Sequence, residues 1–202
     1  VIGRFFRDFG PLLEGFGSPL NCYLPTFGSA FPGDVDWHFG SMGNFLEVDI
    51  TKGCCEANPP FSPGMMTAMA EKIEANLAKA EDLDNILTFV VVVPHAGDDN
   101  DSERAAAKLF GGLALDKMTS SPNCALHILL PAKEHGYIEG AQHMRPTRYK
   151  ESFYATSVIV LQSSRARKQD MDRDLLEREL REAFASRHRK EAEQRKQQDG
   201  AS

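Results

Sequence analysis

The sequence has no apolar run that approaches the roughly 20 residues a helix needs to cross a bilayer. Its longest apolar candidate, Ile86 to Val93, suits a buried strand instead. The chain also lacks an initial Met and lacks the basic and then apolar segment of a signal peptide. These absences predict a chain that does not enter a membrane and that is a processed or truncated piece.

Cysteine pairs of the C-x-x-C type are missing as well. The four cysteines are Cys22, Cys54, Cys55 and Cys124, and their spacing spells neither a zinc knuckle nor a redox motif. We therefore expect reduced, buried thiols. Such cysteines fit the nucleus, the cytoplasm or the mitochondrial matrix better than an oxidising compartment.

An excess of positive charge is also missing, since the net charge is −6. From Arg165 onward there are 11 Lys and Arg against 9 Asp and Glu, which leaves 12 against 20 in the rest of the chain. An acidic body argues against indiscriminate binding to nucleic-acid phosphates. We expect a protein partner or a missing N-terminal domain to supply most of the phosphate contacts to any RNA.

What the sequence does contain is an alternation of apolar stretches with helical patterns, over 202 residues that suffice for one core. The alternation predicts an α/β fold: a Rossmann-like, mostly parallel central sheet flanked by helices. The predicted strands are Pro11 to Phe16, Phe31 to Asp36, Phe45 to Val48, Cys54 to Glu56, Ile86 to Val93, Ala125 to Leu130 and Ser157 to Gln162.

Three helical segments lie between or after these strands. The first is Ser62 to Ala80, with Ser62 as its cap and Pro63 at its first position. After a Gly- and Asp-rich loop from His95 to Glu103, Arg104 to Leu113 could form a short helix. Arg167 to Gln197 is predicted to be a charged helix with a sparse apolar stripe. The predicted division is a catalytic core at 1–164 and a charged C-terminal helix or tail at 165–202.

The tetrapeptide Asn58-Pro59-Pro60-Phe61 follows a short predicted strand and precedes a helix. An amide oxygen of Asn58 and the Pro59 carbonyl can each accept an N–H of an exocyclic amine, which localises its lone pair for attack on a methyl group. Pro60 stiffens the corner, and Phe61 can stack on a base. The alternative is a Pro-Pro turn that only ends a strand.

A cofactor loop is expected after the first strand, and a small-residue turn lies there. Small residues allow the backbone to approach a ligand at the carboxyl edge of the sheet. The predicted cofactor-binding residues are Glu14, Phe16, Gly17, Ser18, Pro19 and Asn21. Asp36, with Asp34 as the alternative, could hold ribose hydroxyls, and Glu47 and Asp49 could face an adenine.

The segment from Lys133 to His143 could line the mouth of this pocket. Lys133, His135, Tyr137 and His143 are predicted to touch RNA phosphate or base. His135 and His143 have no recognised metal-ligand spacing, so no metal is expected, and one of the two histidines is expected to be structural.

The sequence resembles one family over roughly Pro11 to Gln162. The motifs that carry the resemblance are Ser18-Pro19-Leu20-Asn21-Cys22-Tyr23, Ser29-Ala30-Phe31-Pro32, Phe39-Gly40-Ser41, Glu56-Ala57-Asn58-Pro59-Pro60-Phe61, and a downstream series with Leu130-Pro131-Ala132, Glu134-His135 and Gln142-His143. They are similar to the cap-specific adenosine N6-methyltransferase family, also called phosphorylated-CTD-interacting factor.

The resemblance implies methylation of the N6 of the adenosine next to an mRNA cap, with S-adenosyl-L-methionine (SAM) as the donor and no metal. Asn58, Pro59 and Phe61 take the places of the family's catalytic tetrapeptide. Gly17 stands where the family has Ala. The resembling family also has a WW domain and a cap-clasping helical region, neither of which is expected in this sequence, and Gly97 to Asp101 diverges from the family.

Two other functions stay open on the sequence alone. One is a catalytically idle methyltransferase-like scaffold or assembly subunit of a ribonucleoprotein. The acidic charge of the chain before Arg165 supports this alternative. The other is an enzyme acting on DNA adenine or on a protein glutamine amide, which the terminal Phe61 disfavours because those enzymes end a similar tetrapeptide with Tyr.

Overall fold

Alternating strands and helices build one main sheet with helices on both of its faces. The computed structural model describes residues 12–31, 33, 35–95, 112–138, 149–169 and 172–185. The strands are β1 (Leu12–Glu14), β2 (Gly53–Ala57), β3 (Leu87–Pro94), β4 (Cys124–Leu130), β5 (Gly136–Ile138), β6 (Tyr149–Glu151) and β7 (Thr156–Gln162). The α-helices are α1 (Pro63–Asp82), α2 (Gly112–Thr119), α3 (Ser164–Arg167) and α4 (Arg173–Phe184), and a 3₁₀ helix spans Asp36–Phe39.

The main sheet is mixed, with the order β1-β2-β3-β7-β4. β1, β2 and β3 pair in parallel, whereas β7 runs antiparallel to both β3 and β4. Four of these five strands therefore point the same way. The predicted α/β class is confirmed, and the predicted mostly parallel sheet has an antiparallel strand inside it.

The two central strands are buried on both faces. Every residue of β7 is buried, as is β3 from Leu87 to Val93. Both strands are rich in Val, Ile and Leu without polar alternation, which is the pattern of a strand covered on both sides. This pattern made β3 and β7 predictable to within one residue at each end.

One face of the sheet carries α1 and α2. The predicted apolar stripe of α1 (Met66, Met69, Ile73 and Leu77) is buried and packs against side chains of β3 and β7. Ser62 caps the helix by accepting from the Met65 N–H at 3.4 Å, and Pro63 is its first residue. The N-terminus of α1 thus begins directly after the Asn58 to Phe61 corner.

The opposite face carries α4 and the small β5–β6 hairpin. Leu176 and Leu180 of α4 are buried against Val90, Val158 and Val160. The predicted single helix from Arg167 is wrong at its start, because Asp172 accepts from the Leu175 N–H at 2.9 Å and begins a new helix at Arg173. Residues 186–197 of that prediction lie outside the described residues.

The second and third predicted strands are wrong. Among the described residues of Phe31 to Asp36 none is in a strand, and Phe31 and Val35 are exposed. Phe45 to Val48 is a turn, which Asn44 shapes by accepting from the Leu46 N–H at 3.0 Å. The ring of Phe45 is buried in the core although the residue lies in a turn, which explains the apolar position that suggested a strand.

Two single-residue bridges extend the sheet beyond β1 instead. Phe27 bridges to Glu14, and Ser41 bridges to Phe27, both in parallel. The order across this end of the sheet is therefore Ser41, then Phe27, then β1, which is the reverse of their order in the chain. Beyond β1 the sheet continues with β2 and β3, so the chain order reverses between β1 and β2.

Of the predicted helix Arg104 to Leu113, only Gly112 and Leu113 are described, and both lie in α2. The loop His95 to Glu103 is outside the described residues except for His95. Among the described helices, none combines the length and the apolar character that a bilayer span requires.

Candidate functional site

The carboxyl ends of the parallel strands gather the predicted site residues at one edge of the sheet. β1 ends at Glu14, β2 at Ala57 and β3 at Pro94, and the antiparallel β7 starts at the same edge with Thr156. Ligands of open α/β sheets bind at this edge, where the strand order reverses. The reversal lies between β1 and β2, so the predicted cofactor turn and the Asn58 corner flank it.

The small-residue turn after β1 is tied directly to β2. The Gly15 N–H donates to the Glu56 carbonyl at 2.7 Å, and the Gly28 N–H donates to the Glu14 carbonyl at 2.7 Å. A Cβ on Gly28 would lie 2.3 Å from the Gly15 carbonyl oxygen, so the two backbones cross too closely for any side chain there. Gly28 is a residue that the sequence analysis did not single out.

The outer part of the turn closes on itself. Asn21 Oδ1 accepts from the Ser18 N–H at 2.8 Å and from the Ser18 Oγ at 2.9 Å. The Gly17 N–H donates to the Gly28 carbonyl at 2.7 Å, and Pro19 is half-buried. The Asn21 oxygen is thus committed within the turn, and its side-chain N–H groups are the part left for a ligand.

Phe16 points toward the core. Its ring packs on Phe45 with centroids 4.7 Å apart. A Cβ on Gly17 would come within 3.1 Å of Phe27, which is tight, so the Ala of the resembling family requires a small shift at this position.

Two carboxyl groups sit next to each other at the reversal. Glu14 and Glu56 are partners in the register of β1 and β2, and residues in register on parallel strands point to the same face. Glu14 Oε2 accepts from the backbone N–H groups of Tyr23 at 2.8 Å and Leu24 at 3.2 Å. Burial, and secondarily the charge of Glu14, raises the pKa of Glu56 to about 8.

The Asn58 corner presents acceptors that no described residue uses. Asn58 is exposed and Pro59 is buried. Among the described residues, the Asn58 side chain makes no hydrogen bond and no backbone donor reaches the Pro59 carbonyl. The Ser62 N–H donates to the Pro60 carbonyl at 2.8 Å and fixes the turn into α1. The corner is therefore held in place, and its Asn58 and Pro59 oxygens have no partner in the described part of the chain.

Phe61 is half-buried and has an aromatic neighbour from a distant part of the chain. Its ring stands at 90° to that of Tyr154, with centroids 6.3 Å apart. Tyr154 lies in the turn between β6 and β7, and the sequence analysis gave it no role. No local pattern could have found it, because the contact forms only when β7 inserts beside β3.

The acidic residues expected around the donor differ in their surroundings. Asp36 opens the 3₁₀ helix and is half-buried, so the predicted strand end from which its role was argued does not exist. Asp49 binds Lys72 at 3.1 Å and Lys79 at 2.6 Å, on the side of α1. Glu47 is exposed, and Asp34 lies outside the described residues.

The residues predicted to line the pocket mouth differ in their exposure. Lys133 is exposed, whereas His135 is 1% exposed and both of its ring nitrogens contact the protein, Nδ1 at 2.8 Å from the Pro131 carbonyl and Nε2 at 2.8 Å from Thr156 Oγ1. The Tyr137 hydroxyl bonds the same Thr156 hydroxyl. His135 thus has the surroundings of the structural histidine that was expected for one of the pair, and His143 lies outside the described residues.

The four cysteines and two further histidines are the other groups that could bind a metal or react. All four cysteines are free, and burial raises the pKa of Cys54 to about 12. His95 and His127 each lie 2.9 Å from Ser157 Oγ. In the described part of the chain, no group of three or more His, Cys, Asp or Glu side chains is arranged to hold a metal ion.

Comparison with known proteins adds three findings. Residues 2–140 match the family model described as Phosphorylated CTD interacting factor 1 WW domain. The chain is 35% identical over 165 residues to a human and to a mouse protein, each named mRNA (2'-O-methyladenosine-N(6)-)-methyltransferase. The alignment covers 81% of this chain and 21% of each relative, so this chain spans about a fifth of their length.

Among solved structures, a Thermoplasma acidophilum crystal structure covers 81% of this chain and 86% of its own, with a TM-score of 0.39 and 9% identity. A likeness of that size supports no statement about activity.

Proposed function

Because this chain belongs to the Phosphorylated CTD interacting factor 1 family, we propose that it is a SAM-dependent methyltransferase acting on adenine N6 of RNA. The names of the human and mouse relatives supply the reaction and 2'-O-methyladenosine of mRNA as its target. The family resemblance adds the position beside the cap. The proposal places the chain with RNA in the nucleus or cytoplasm. A partner protein or further domain would supply the cap contacts.

The observation that carries the proposal is the junction of the cofactor turn with the catalytic corner. The Gly15 N–H bonds the Glu56 carbonyl at 2.7 Å, and Asn58 follows two residues later. Donor and acceptor of a methyl group must meet within van der Waals distance, so the two loops have to be neighbours. The reversal of strand order between them supports a Rossmann-like site, since such sheets bind nucleotides there.

The residues on the β1 side fit a cationic donor. SAM carries a positive sulfonium, and when bound it supplies an electrophilic methyl group. Glu14 and Glu56 make this edge acidic, and among the described residues the Glu56 carboxyl has no cationic or hydrogen-bonding partner. The turn from Glu14 to Asn21, with Phe16, Gly17, Ser18 and Pro19, would hold the amino-acid part of the donor, and Asp36 would hold its ribose.

The residues on the β2 side fit the acceptor amine. The amino lone pair of adenine is delocalised into the ring, so its nucleophilicity depends on holding both N–H bonds in place. The Asn58 oxygen and the Pro59 carbonyl accept one N–H each, and Pro60 keeps that carbonyl in position. The proton leaves after transfer, so this corner needs no ionisable side chain.

The rest of the nucleotide would be held by stacking and by charge. Phe61 is half-buried and packs on the core with part of its ring. Its exposed part would stack on a base, and a stacked base contributes roughly 1–3 kcal/mol. Lys133 is exposed and would reach phosphate. His135 and Tyr137 would act from behind this surface, through the turn that their network supports.

Methyl transfer from labelled SAM to capped RNA, uncapped RNA, duplex DNA and protein tests the proposal directly. We expect incorporation into adenosine of RNA. Replacing Asn58 by Ala should lower kcat roughly 100-fold, since one transition-state hydrogen bond is worth ~3 kcal/mol by analogy with oxyanion-hole donors. SAM affinity should stay unchanged, because Asn58 is on the acceptor side.

Full turnover by Asn58→Ala would contradict the mechanism. Absence of SAM binding by the unaltered chain, measured by calorimetry, would favour the catalytically idle scaffold instead.

A further inference from the structure

Tyr154 stands beside the proposed base-stacking ring without belonging to its motif. The ring planes of Tyr154 and Phe61 are perpendicular, with centroids 6.3 Å apart. A perpendicular ring leaves at least one face of Phe61 uncovered by Tyr154. With Tyr154 at the edge of the Phe61 ring, a base stacked on Phe61 would lie parallel to that ring and would have its own edge against Tyr154.

The turn that carries Tyr154 is held from several directions. Ser152 Oγ donates to the Tyr154 carbonyl at 2.7 Å, and the Ser152 N–H donates to the His135 carbonyl at 2.9 Å. From the other side, the His95 N–H at the end of β3 donates to the Ala155 carbonyl at 2.8 Å. The position of Tyr154 is therefore set by the strands around it, as precise ligand contacts require.

The hydroxyl of Tyr154 is not used by any described residue. Tyr154 is 42% exposed, and its hydroxyl makes no hydrogen bond to any described residue. The nearby Tyr137 hydroxyl contrasts with it, because it bonds Thr156. An O–H of a partly exposed tyrosine on a braced turn, next to a stacking ring, is a donor available to a ligand.

We propose that Tyr154 is a specificity-determining residue for the adenosine, whose hydroxyl donates to a ring nitrogen of the base while its ring borders the base stacked on Phe61. This inference rests on the proposed function, because it assumes that the base lies on Phe61. It goes beyond the tetrapeptide, which contacts only the exocyclic amine and one face of the ring.

Steady-state kinetics with the full chain tests this assignment. Tyr154→Phe should raise KM for an adenosine-containing RNA about fivefold and leave kcat nearly unchanged, since one neutral hydrogen bond to bound substrate is lost. Tyr154→Ala should also lower kcat about tenfold, because Phe61 loses its neighbour. SAM affinity should not change in either variant.

Phe153→Ala is the matched control, because Phe153 lies on the same turn, is 69% exposed and has no ring partner among the described residues. It should leave KM and kcat within about twofold. If Phe153→Ala and Tyr154→Ala give equal losses, the turn has only a structural role and the assignment is overturned.

Substrates that lack one ring nitrogen identify the accepting atom. With 1-deazaadenosine or 7-deazaadenosine in the RNA, the difference between wild type and Tyr154→Phe should vanish for the analogue that lacks the accepted nitrogen. If the fivefold difference persists with both analogues and with 3-deazaadenosine, the hydroxyl does not contact the base ring and the inference fails.

A binding measurement separates this inference from the enzymatic proposal. An oligoribonucleotide with 2-aminopurine at the adenosine position should change its fluorescence on binding to wild type, and about fivefold more Tyr154→Ala should be needed for half the change. If RNA is bound in this way but never methylated, the proposed reaction fails and the base contact stands. If methylation proceeds and Tyr154 variants match wild type in both assays, the base contact fails and the reaction stands.

Discussion

Glu14 and Glu56 are register partners on adjacent strands, and their carboxyl groups share one face of the sheet at the point where the strand order reverses. Burial, with the charge of Glu14 added, raises the pKa of Glu56 to about 8. The Glu56 carboxyl is therefore largely protonated near neutral pH in the free protein. Two consequences follow, one for stability and one for ligand binding.

The stability of the free protein should fall as pH rises through the range set by Glu56. In the unfolded chain this carboxyl ionises near its ordinary pKa of 4.5, and in the folded chain near 8. Between these values the unfolded state binds fewer protons, so each increase in pH favours unfolding. Urea unfolding from pH 5.5 to 8 should show a decreasing midpoint.

Glu56→Gln should remove most of that decrease, because an amide does not ionise. Histidines shift the balance in the opposite direction at the acid end, since burial lowers the pKa of His135 and protonation then favours unfolding. The quantity to compare is therefore the slope of the urea midpoint against pH, above pH 6.5, in wild type and in Glu56→Gln. Equal slopes would show that Glu56 titrates normally.

Binding of a sulfonium should be linked to the same proton. A positive charge beside Glu56 lowers the pKa of that carboxyl, so SAM binding below pH 8 should release protons. S-adenosylhomocysteine lacks the sulfonium charge and should release fewer. We expect the preference for SAM over S-adenosylhomocysteine to increase several-fold, roughly 3- to 10-fold, between pH 6 and 7.5.

Calorimetry in buffers of different ionisation enthalpy measures the released protons, and Glu56→Gln is the control. That variant should bind both ligands with a preference that does not depend on pH. A pH-independent preference in wild type would mean that the sulfonium lies away from Glu56.

The crossing of the two loops at Gly28 gives a third prediction. Gly28→Ala would place a Cβ 2.3 Å from the Gly15 carbonyl oxygen, so the cofactor turn must move. We expect a loss of about 1–3 kcal/mol in the free energy of unfolding, together with weaker SAM binding.

Gly64→Ala serves as the comparison, because an added Cβ there has no atom within 4 Å and the residue lies in the first turn of α1. This change should be neutral or stabilising by up to ~1 kcal/mol. Chemical denaturation of the two variants measures the contrast, and a Gly28→Ala protein as stable as Gly64→Ala would refute the close crossing.

The parts of the fold that were predictable are those whose burial leaves a simple pattern. β3 and β7 are buried on both faces and have continuous β-branched runs, and α1 has a Ser cap, a first-turn Pro and a regular stripe. The position of Asn58 to Phe61 between β2 and α1 follows from these elements. The sequence also predicted that this corner lies beside the turn after β1, because the two follow adjacent strands. The hydrogen bond from Gly15 to Glu56 agrees with that prediction.

The region between β1 and β2 could not be predicted, because its apolar residues do not follow strand alternation. Phe27 is fully buried and makes a bridge on each side, whereas Phe31 and Val35, which suggested a strand, are exposed. A single-residue bridge leaves no period in the sequence. The contact between Phe61 and Tyr154 also leaves no pattern in the sequence, since only the order of the strands in the sheet brings the two residues together.

The placement of β7 also determines when this chain can finish folding. Among the described strands it is the last along the chain, yet it fills the gap between β3 and β4 and is the only strand of the described sheet that pairs with β4. Until residues 156–162 leave the ribosome, β3 offers an open apolar edge, which is a template for aggregation. A gene fragment ending before β7 should therefore yield insoluble protein even though it encodes both the turn after β1 and the Asn58 corner.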